Sequence, residues 1–498
     1  MRPRDLSAVR GRSWFPGRTA RAGGLMGSVL LLTACATGQP PRPAIVTLPV
    51  TFEVAPTDVP ATRLAQWWTL FEDAQLTALT ERALAQGFSV REALVRLEEA
   101  HALRSVALAK FGLQGSLQAN AEYRDTRTLD ETNSIASGFG ASGGAGINKT
   151  ASASLPVSWE IDLFGRRGAT QRGAQADIDQ ARFEVEAARA AIAAEVARAL
   201  FLARGLNAQG DEARETVRIQ HELARVVGER AKRGLAATSE VDRVAGDVAQ
   251  AEAQVTDLDA ALIASRRALL AVIGMGSDSL STLTVEPSLG TVPAIPAAIP
   301  GDLLERRPDI QVAAARVRGA ASNVRLAELD FFPKLTLNPG AGVSFQRGVI
   351  DTSTGFWSLG LGLAVPILDR PRLQALLDAE GTRAEHVVLA YERTVQTAFS
   401  EADQYLVRLQ ADRRRVDILE AGEHRSRTAY NAAHKRYELG FAGLQELLDS
   451  ERAWRATRAS LTAAKIEALQ RSVQVFQALG GGWNAAKVTT AQDLKGTQ

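Results

Sequence analysis

The chain has 498 residues, of which 46% are hydrophobic and 23% charged, within the ordinary range of folded proteins. Its longest apolar run, residues 25–34, has about ten residues, whereas a membrane-spanning helix needs roughly 18 to 20. A polytopic helical pump is therefore excluded. The single cysteine also excludes an intrachain disulfide and a cysteine-based zinc site.

The N-terminus has the pattern of a signal peptide. Six arginines and one aspartate precede the apolar run, which ends at Leu32-Thr33-Ala34-Cys35, so small residues lie before a cleavage site. This block resembles the bacterial lipoprotein signal, which implies that residues 1–34 are removed and that Cys35 is acylated. The residue after the cysteine is Ala36 and not Asp, which in this class of signal implies sorting to the outer membrane. The alternative for Cys35 is a buried free thiol at the end of a helix.

The charge of the mature chain follows from this cleavage. Without residues 1–34, Lys+Arg falls from 58 to 52 and Asp+Glu from 56 to 55, so the net charge is −3 rather than +2. A nucleic-acid partner inferred from basicity is therefore excluded. Residues 35–62 contain six prolines, a composition typical of an extended tether, here lipid-anchored.

The rest of the chain is a tandem repeat. Residues 230–241 and 436–447 align without gaps, and each lies in the same order of helix, two strands, long helix, glycine turn and helix. We predict a first repeat at 63–286, a Pro-rich linker at 287–308, a second repeat at 309–482 and a polar tail at 483–498.

Each repeat contains two segments that alternate between apolar and polar or small residues, as strands do. The four segments span 117–124, 147–159, 335–346 and 357–367. Strands of about ten residues cross a bilayer when tilted. Spanning strands must close into a barrel, and single-chain barrels start at eight strands, so several protomers would have to share one. The alternative is a soluble sheet half-buried against helices.

Each repeat also contains a helical hairpin without an internal proline, predicted at 166–233 with 239–273 and at 371–438 with 443–479, where Pro371 lies in the first turn. Ser239 and Asp242 have the spacing of a capping box. An apolar heptad seam runs through 388–419, interrupted only by Asp412, and predicts coiled-coil-like packing along the helix. An isolated antiparallel rod would explain the heptads but not the strands.

Several motifs in this order resemble the TolC-like outer-membrane factors, specifically the lipoprotein branch typified by OprM and NodT. The resemblance covers nearly the whole mature chain. Its motifs are Trp67-Trp68 with Phe71 and Leu76; 159–166; 303–310; Phe332-Pro333 with Leu335; and Arg436-Tyr437 with Gly440, Leu448, Asp449 and Arg452.

The resemblance implies an α+β membrane protein that assembles as a homotrimer in the outer membrane. Each protomer would contribute four transmembrane strands to a shared twelve-stranded β-barrel, continuous with a periplasmic α-helical barrel. The chain would catalyse nothing and would export drugs, toxic compounds or metals. Its partners would be a periplasmic adaptor and an inner-membrane transporter of the RND type. The alternatives are a type I protein-secretion conduit and a periplasmic adaptor or scaffold lipoprotein.

The resemblance also implies a periplasmic gate at the hairpin tips, with Tyr437, Glu446 and Asp449 as candidate residues. A threefold ring of carboxylates in a narrow pore favours cations. The turns at Gly234 and Gly440 are the candidate tips for adaptor docking. The alternative is that both acids merely solvate a helix face.

An enzyme is not expected. Residues 138–143 match a dinucleotide-binding string, but they lie between two predicted strands, outside any βαβ unit. The five histidines lack a paired metal-ligand spacing. We therefore expect no metal and no cofactor other than the lipid on Cys35.

Overall fold

The computed structural model describes residues 42–53, 61–127, 146–295, 300–348 and 351–483. Cys35, the string at 138–143 and most of the polar tail lie outside these ranges. After a 3₁₀ segment at Ala61–Phe71, the helices are α1 (Ala74–Gln86), α2 (Phe88–Ala109), α3 (Arg166–Lys232), α4 (Thr238–Val272), α5 (Leu303–Arg306), α6 (Pro308–Leu329), α7 (Arg370–Glu438) and α8 (Leu444–Ala478).

The strands form one antiparallel sheet in chain order. They are β1 (Gln118–Thr126), β2 (Gly146–Ile161), β3 (Lys334–Arg347) and β4 (Thr352–Ala364), and a two-residue strand at Gln114–Gly115 also pairs with β2. Among the described residues, β1 pairs only with β2, and β4 pairs only with β3. The sheet therefore has two open edges.

The tandem repeat predicted from the sequence is confirmed by matching helices. The helices before the strands, α2 and α6, both have 22 residues. The long helices α3 and α7 have 67 and 69 residues, and α4 and α8 both have 35. A helix of 69 residues is roughly 100 Å long at 1.5 Å per residue, so each repeat presents a hairpin much longer than a compact domain.

The helix ends fall within one residue of their predicted positions, but two local predictions are wrong. Ser239 does not cap α4, because that helix begins at Thr238 and its N-cap, Ala237, has no side chain that can accept a hydrogen bond. The fourth strand spans Thr352–Ala364, so it begins before the predicted Trp357 and ends before the predicted Ile367. Both errors concern element ends, where local patterns give little information.

The strand register places the predicted apolar residues on one face of the sheet. Leu361 lies opposite Leu337, which lies opposite Trp159, and Trp357 lies opposite Ala341. Trp357 is 82% exposed and Leu361 67% exposed in the single chain. The opposite face carries mostly serines, glycines and amides, together with charged residues on β1 and one aromatic residue, Phe356.

The predicted seam of α7 is buried along part of its length, whereas Val416 and Leu419 at its end are only half-buried. Val388, Val395, Ala398, Ala402 and Leu409 are each at most 3% exposed. The polar interruption is also explained, because Oδ2 of Asp412 lies 3.3 Å from Nε of Arg471 on α8. The seam therefore packs α7 against its neighbours and includes one ion pair within the hairpin.

The main core lies where the two repeats meet. Trp67 of the 3₁₀ segment is fully buried and stacks on Phe476 of α8, with ring centroids 5.4 Å apart. The ring centroids of Phe71 and of Phe201 on α3 are 5.1 Å apart. The beginning and end of the described fold are thus held against the long helix of the first repeat. Within the described part of the chain, none of the helices is long and apolar enough to cross a membrane.

The described part of the tether lies along α7. The carboxylate of Glu392 accepts a hydrogen bond from the backbone N–H of Ile45 at 2.8 Å and pairs with Arg42 at 3.2 Å. Farther along, Phe52 is buried and stacks on Phe399 at 5.7 Å. These contacts fix residues 42–53 to the second repeat without regular secondary structure.

Candidate functional site

The hairpin tips are two matching glycine turns. Gly234 has φ 70° and Gly440 has φ 79°. In each turn, the backbone N–H of the following residue reaches back to the helix: Leu235 N–H donates to Arg230 O at 2.9 Å, and Phe441 N–H donates to Arg436 O at 2.8 Å. This pattern ends a helix with a left-handed residue, a conformation that glycine adopts without steric cost.

We predict that Gly440→Ala loosens the second tip, whereas Gly443→Ala does not. No atom beyond the neighbouring residues lies within 4 Å of a Cβ built at either position, so neither substitution causes a clash and the left-handed backbone at Gly440 accounts for most of the difference. Alanine at φ 79° costs about 1–2 kcal/mol, but Gly443 has φ −81°, which any residue adopts. Amide hydrogen exchange across 436–443 should accelerate only in Gly440→Ala, and equal exchange in the two variants would contradict the prediction.

Tyr437 joins the two hairpins. It is 4% exposed, and the guanidinium carbon of Arg230 on α3 lies 4.2 Å from its ring centroid. Nη2 of Arg230 also donates to the backbone oxygen of Tyr437 at 3.1 Å. Burial raises the pKa of Tyr437, although the nearby Arg230 opposes this. The tyrosine is therefore a neutral, buried contact between the repeats, and no pore-facing role is visible in the single chain.

The two candidate acids are exposed on α8, but their surroundings differ. Oε1 of Glu446 lies 2.6 Å from Nη1 of Arg436, so an adjacent cation balances its charge. Asp449 accepts hydrogen bonds from the neutral amide of Gln445, whose own oxygen lies 2.8 Å from Arg243. Of the two carboxylates, Asp449 is the one without a direct cationic partner among the ion pairs of the described residues.

A third acid of α8, two residues after Asp449, is buried and was not predicted from the sequence. Glu451 is 1% exposed, pairs with Arg455 at 2.8 Å and accepts a hydrogen bond from Gln220 of α3 at 3.2 Å. Burial raises the pKa of its carboxyl, with Arg455 opposing. The signal was present in the sequence, since Glu451 continues the buried spacing of Leu444, Leu447, Leu448 and Trp454.

A second core holds the tip hairpins together. Tyr430 of α7 stacks on Trp454 of α8 with ring centroids 5.0 Å apart, and the indole N–H donates to Glu423 at 2.8 Å. Val227 of α3 and Val244 of α4 are buried in the same cluster. Helices from both repeats therefore meet at the tips, which makes relative motion of the hairpins costly.

Comparisons with known proteins agree with this architecture. The family model described as outer membrane efflux protein matches residues 79–275 and 299–481. The chain is 27% identical over 470 residues to the pyoverdine export outer membrane protein OpmQ of Pseudomonas putida, covering 92% of this chain and 97% of that protein. It is also 27% identical over 441 residues to the toluene efflux pump outer membrane protein TtgF of Pseudomonas putida, covering 86% and 88%.

Among solved structures, the chain resembles the outer-membrane channel OprN with a TM-score of 0.75 at 25% identity. The match covers 90% of this chain and 100% of that channel. The long hairpins, the paired strands and their order along the chain are therefore shared with an outer-membrane channel over its full length.

Proposed function

Because the chain belongs to the outer membrane efflux protein family, we propose that it is the passive outer-membrane channel of a tripartite efflux system. In this role, three copies form one conduit from the periplasm to the cell exterior. The chain provides the path, and an inner-membrane transporter provides the energy.

The sheet is the observation that carries this proposal. Its four strands have an exposed apolar face and two edges that are open in the described chain. Unpaired backbone groups cannot remain in hydrocarbon, and four strands are too few to close a barrel. Pairing the β4 edge of one copy with the β1 edge of the next gives a closed barrel of twelve strands from three copies.

The helices and the tether support the same assembly. The hairpins, roughly 100 Å long, would extend this conduit through the periplasm. Residues 42–53 lie along α7, so this part of the predicted tether is held against the second repeat. A lipid on Cys35 would add a second attachment to the outer membrane, since each buried methylene of an acyl chain contributes about 0.8 kcal/mol.

The exposed tips and the family support our proposal for the partners. Gly234 and Gly440 end the two long helices in exposed turns, with Leu235 and Phe441 each 74% exposed. We place the periplasmic adaptor at these turns and an RND-type transporter beneath it. The names of OpmQ and TtgF refer to pyoverdine and toluene, so the cargo we propose is a small molecule.

The proposed gate predicts unequal effects of the two tip acids on ion selectivity. Asp449→Asn should reduce cation preference more than Glu446→Gln, because Arg436 already balances the charge of Glu446. The measurement is the reversal potential of purified channels in planar bilayers under a salt gradient. Unchanged selectivity in the double variant would remove these acids from the gate and leave the fold intact.

The proposed function is tested in the native cell by deleting the gene and measuring growth inhibition by a panel of drugs, detergents and metal salts. Sensitivity to at least one class should rise and should be restored by the wild-type chain. As a matched control, a chain with β4 deleted should be produced but should not restore resistance. Full resistance in the deletion strain, with no other channel of this family present, would contradict the proposal.

A further inference from the structure

The polar face of the sheet contains a recess at mid-height. Its volume is about 670 Å³, and it lies where β1, β2, β3 and β4 come together. This volume falls within the range typical of small-molecule sites, roughly 300–1,000 Å³. We refer to it as the luminal recess; its lining includes Gln114, Gln118, Ser158, Asn338, Phe356 and Ser358.

Interrupted strand pairing creates this recess. Between β2 and β3, the paired positions stop at Pro156 opposite Gly340 and resume at Trp159 opposite Leu337. On its other side, β2 pairs with Gln114–Gly115 and then with β1, and Ser116 and the residue after it are unpaired. Proline has no N–H to donate to the ladder, and Pro339 lies in the unpaired stretch while Pro156 lies at its edge. The backbone between these strands is consequently less tightly joined.

An aromatic ring forms one wall of the recess. Phe356 lies opposite Gly342 in the register, and a Cβ added at Gly342 would lie 2.8 Å from its ring. Only glycine leaves room for the ring at that position. Phe356 remains 51% exposed, although its neighbours on the same face of β4 are Thr354 and Ser358. A large apolar side chain is thus exposed on a face of β4 that is otherwise polar.

The remaining lining is polar but uncharged. Amides from Gln114, Gln118 and Asn338 and hydroxyls from Ser158 and Ser358 can both donate and accept hydrogen bonds. None of the lining residues carries a charge. Farther along β1, Glu122 and Arg124 pair with each other, so their charges are balanced away from the recess.

We propose that the luminal recess binds uncharged aromatic molecules that carry hydrogen-bonding substituents as they pass through the channel. This inference rests on the proposed function, which makes the polar face the inside of the barrel. The trimer then holds three such sites. A ring stacks on Phe356, and the amides and hydroxyls satisfy its substituents. Binding must be weak, because a conducting pathway has to release what it binds.

The test uses purified detergent-solubilised oligomer and N-acetyltyrosinamide, an uncharged amide with a phenol ring. Titration by saturation-transfer NMR should show saturable binding, and N-acetylalaninamide, which lacks the ring, should bind at least several-fold more weakly. Phe356→Ala should weaken binding about three- to tenfold, the effect expected for losing an aromatic pair. Phe356→Tyr keeps the ring and should retain binding.

Two further variants keep the outcome interpretable. Asn338→Ala should weaken binding without removing the ring, whereas Trp357→Ala, on the opposite face of the same strand, should leave it unchanged. Equal binding by wild type, Phe356→Ala and Asn338→Ala would overturn the inference, as would equal loss in Trp357→Ala. A trimer without saturable binding overturns only this inference, whereas a protein that is not a trimer overturns the proposed function and this inference with it.

Discussion

Trp67→Ala should be among the most destabilising single substitutions in this protein. The indole is fully buried and contacts Trp68, Phe71 and Phe476. Removing a buried tryptophan leaves a cavity and costs about 3–5 kcal/mol. Because Phe476 belongs to the last helix and Trp67 to the 3₁₀ segment before the first helix, the loss should weaken the packing between the two repeats.

The measurement is thermal unfolding of the detergent-solubilised protein by circular dichroism. Phe88→Ala is the matched control, because Phe88 is also aromatic but 63% exposed; its effect should be within about 0.5 kcal/mol of zero. A Trp67→Ala protein that unfolds at the wild-type temperature would show that this core does not hold the repeats together.

Arg204→Leu should destabilise the protein by about 2–4 kcal/mol, in the range for breaking a largely buried charged pair. Arg204 on α3 is 7% exposed, forms an ion pair with Asp73 and donates to Gln75 at 2.9 Å. The Asp73 carboxylate also caps α1 by accepting from Leu76 N–H at 2.9 Å. The substitution leaves this carboxylate without its cation while it remains shielded from water.

A control on the same helix separates burial from charge. Arg214 pairs with Asp211 and Asp259 at 2.8 and 2.5 Å, but its side chain is 45% exposed. Exposed pairs contribute about 0–1 kcal/mol, so Arg214→Leu should have a much smaller effect in chemical denaturation. Equal losses in the two variants would contradict a special role for the buried pair.

The effect of Arg204→Leu should depend on pH. Burial alone would raise the pKa of the Asp73 carboxyl, but the hydrogen bond from Arg204, with that from Leu76, holds it below its ordinary 3.8. A lowered folded-state pKa stabilises the protein above pH 3.8, and this contribution is lost as pH falls through the folded-state value. The difference in the free energy of unfolding between wild type and variant should therefore be constant near neutrality. It should become smaller below pH 3.8.

The elements with strong periodicity were predictable from the sequence. The heptad seam of α7 and the strict alternation of β3 recur over many residues, so each additional position supports the same assignment. The turns at Gly234 and Gly440 were predictable because their conformation requires a residue without a Cβ. The length of α3 followed from the absence of proline, which would interrupt a helix.

Contacts between distant segments were not predictable from the sequence. The ion pair of Arg204 with Asp73 joins residues 131 positions apart, and no local pattern encodes it. The same holds for Arg230 and Tyr437, 207 positions apart. The candidate gate residues came from the family resemblance and stay predictions, and the charge balance of Glu446 was not predictable, because the side chain of Arg436 reaches it across the turn. Lipidation at Cys35 and the domain boundaries stay predictions.

The subunit count of the purified complex tests the central claim most directly. Four strands with two open edges cannot close around a pore alone, so native mass spectrometry after release from detergent should give three copies of the chain. A stable monomer, or any oligomer other than a trimer, would contradict the account.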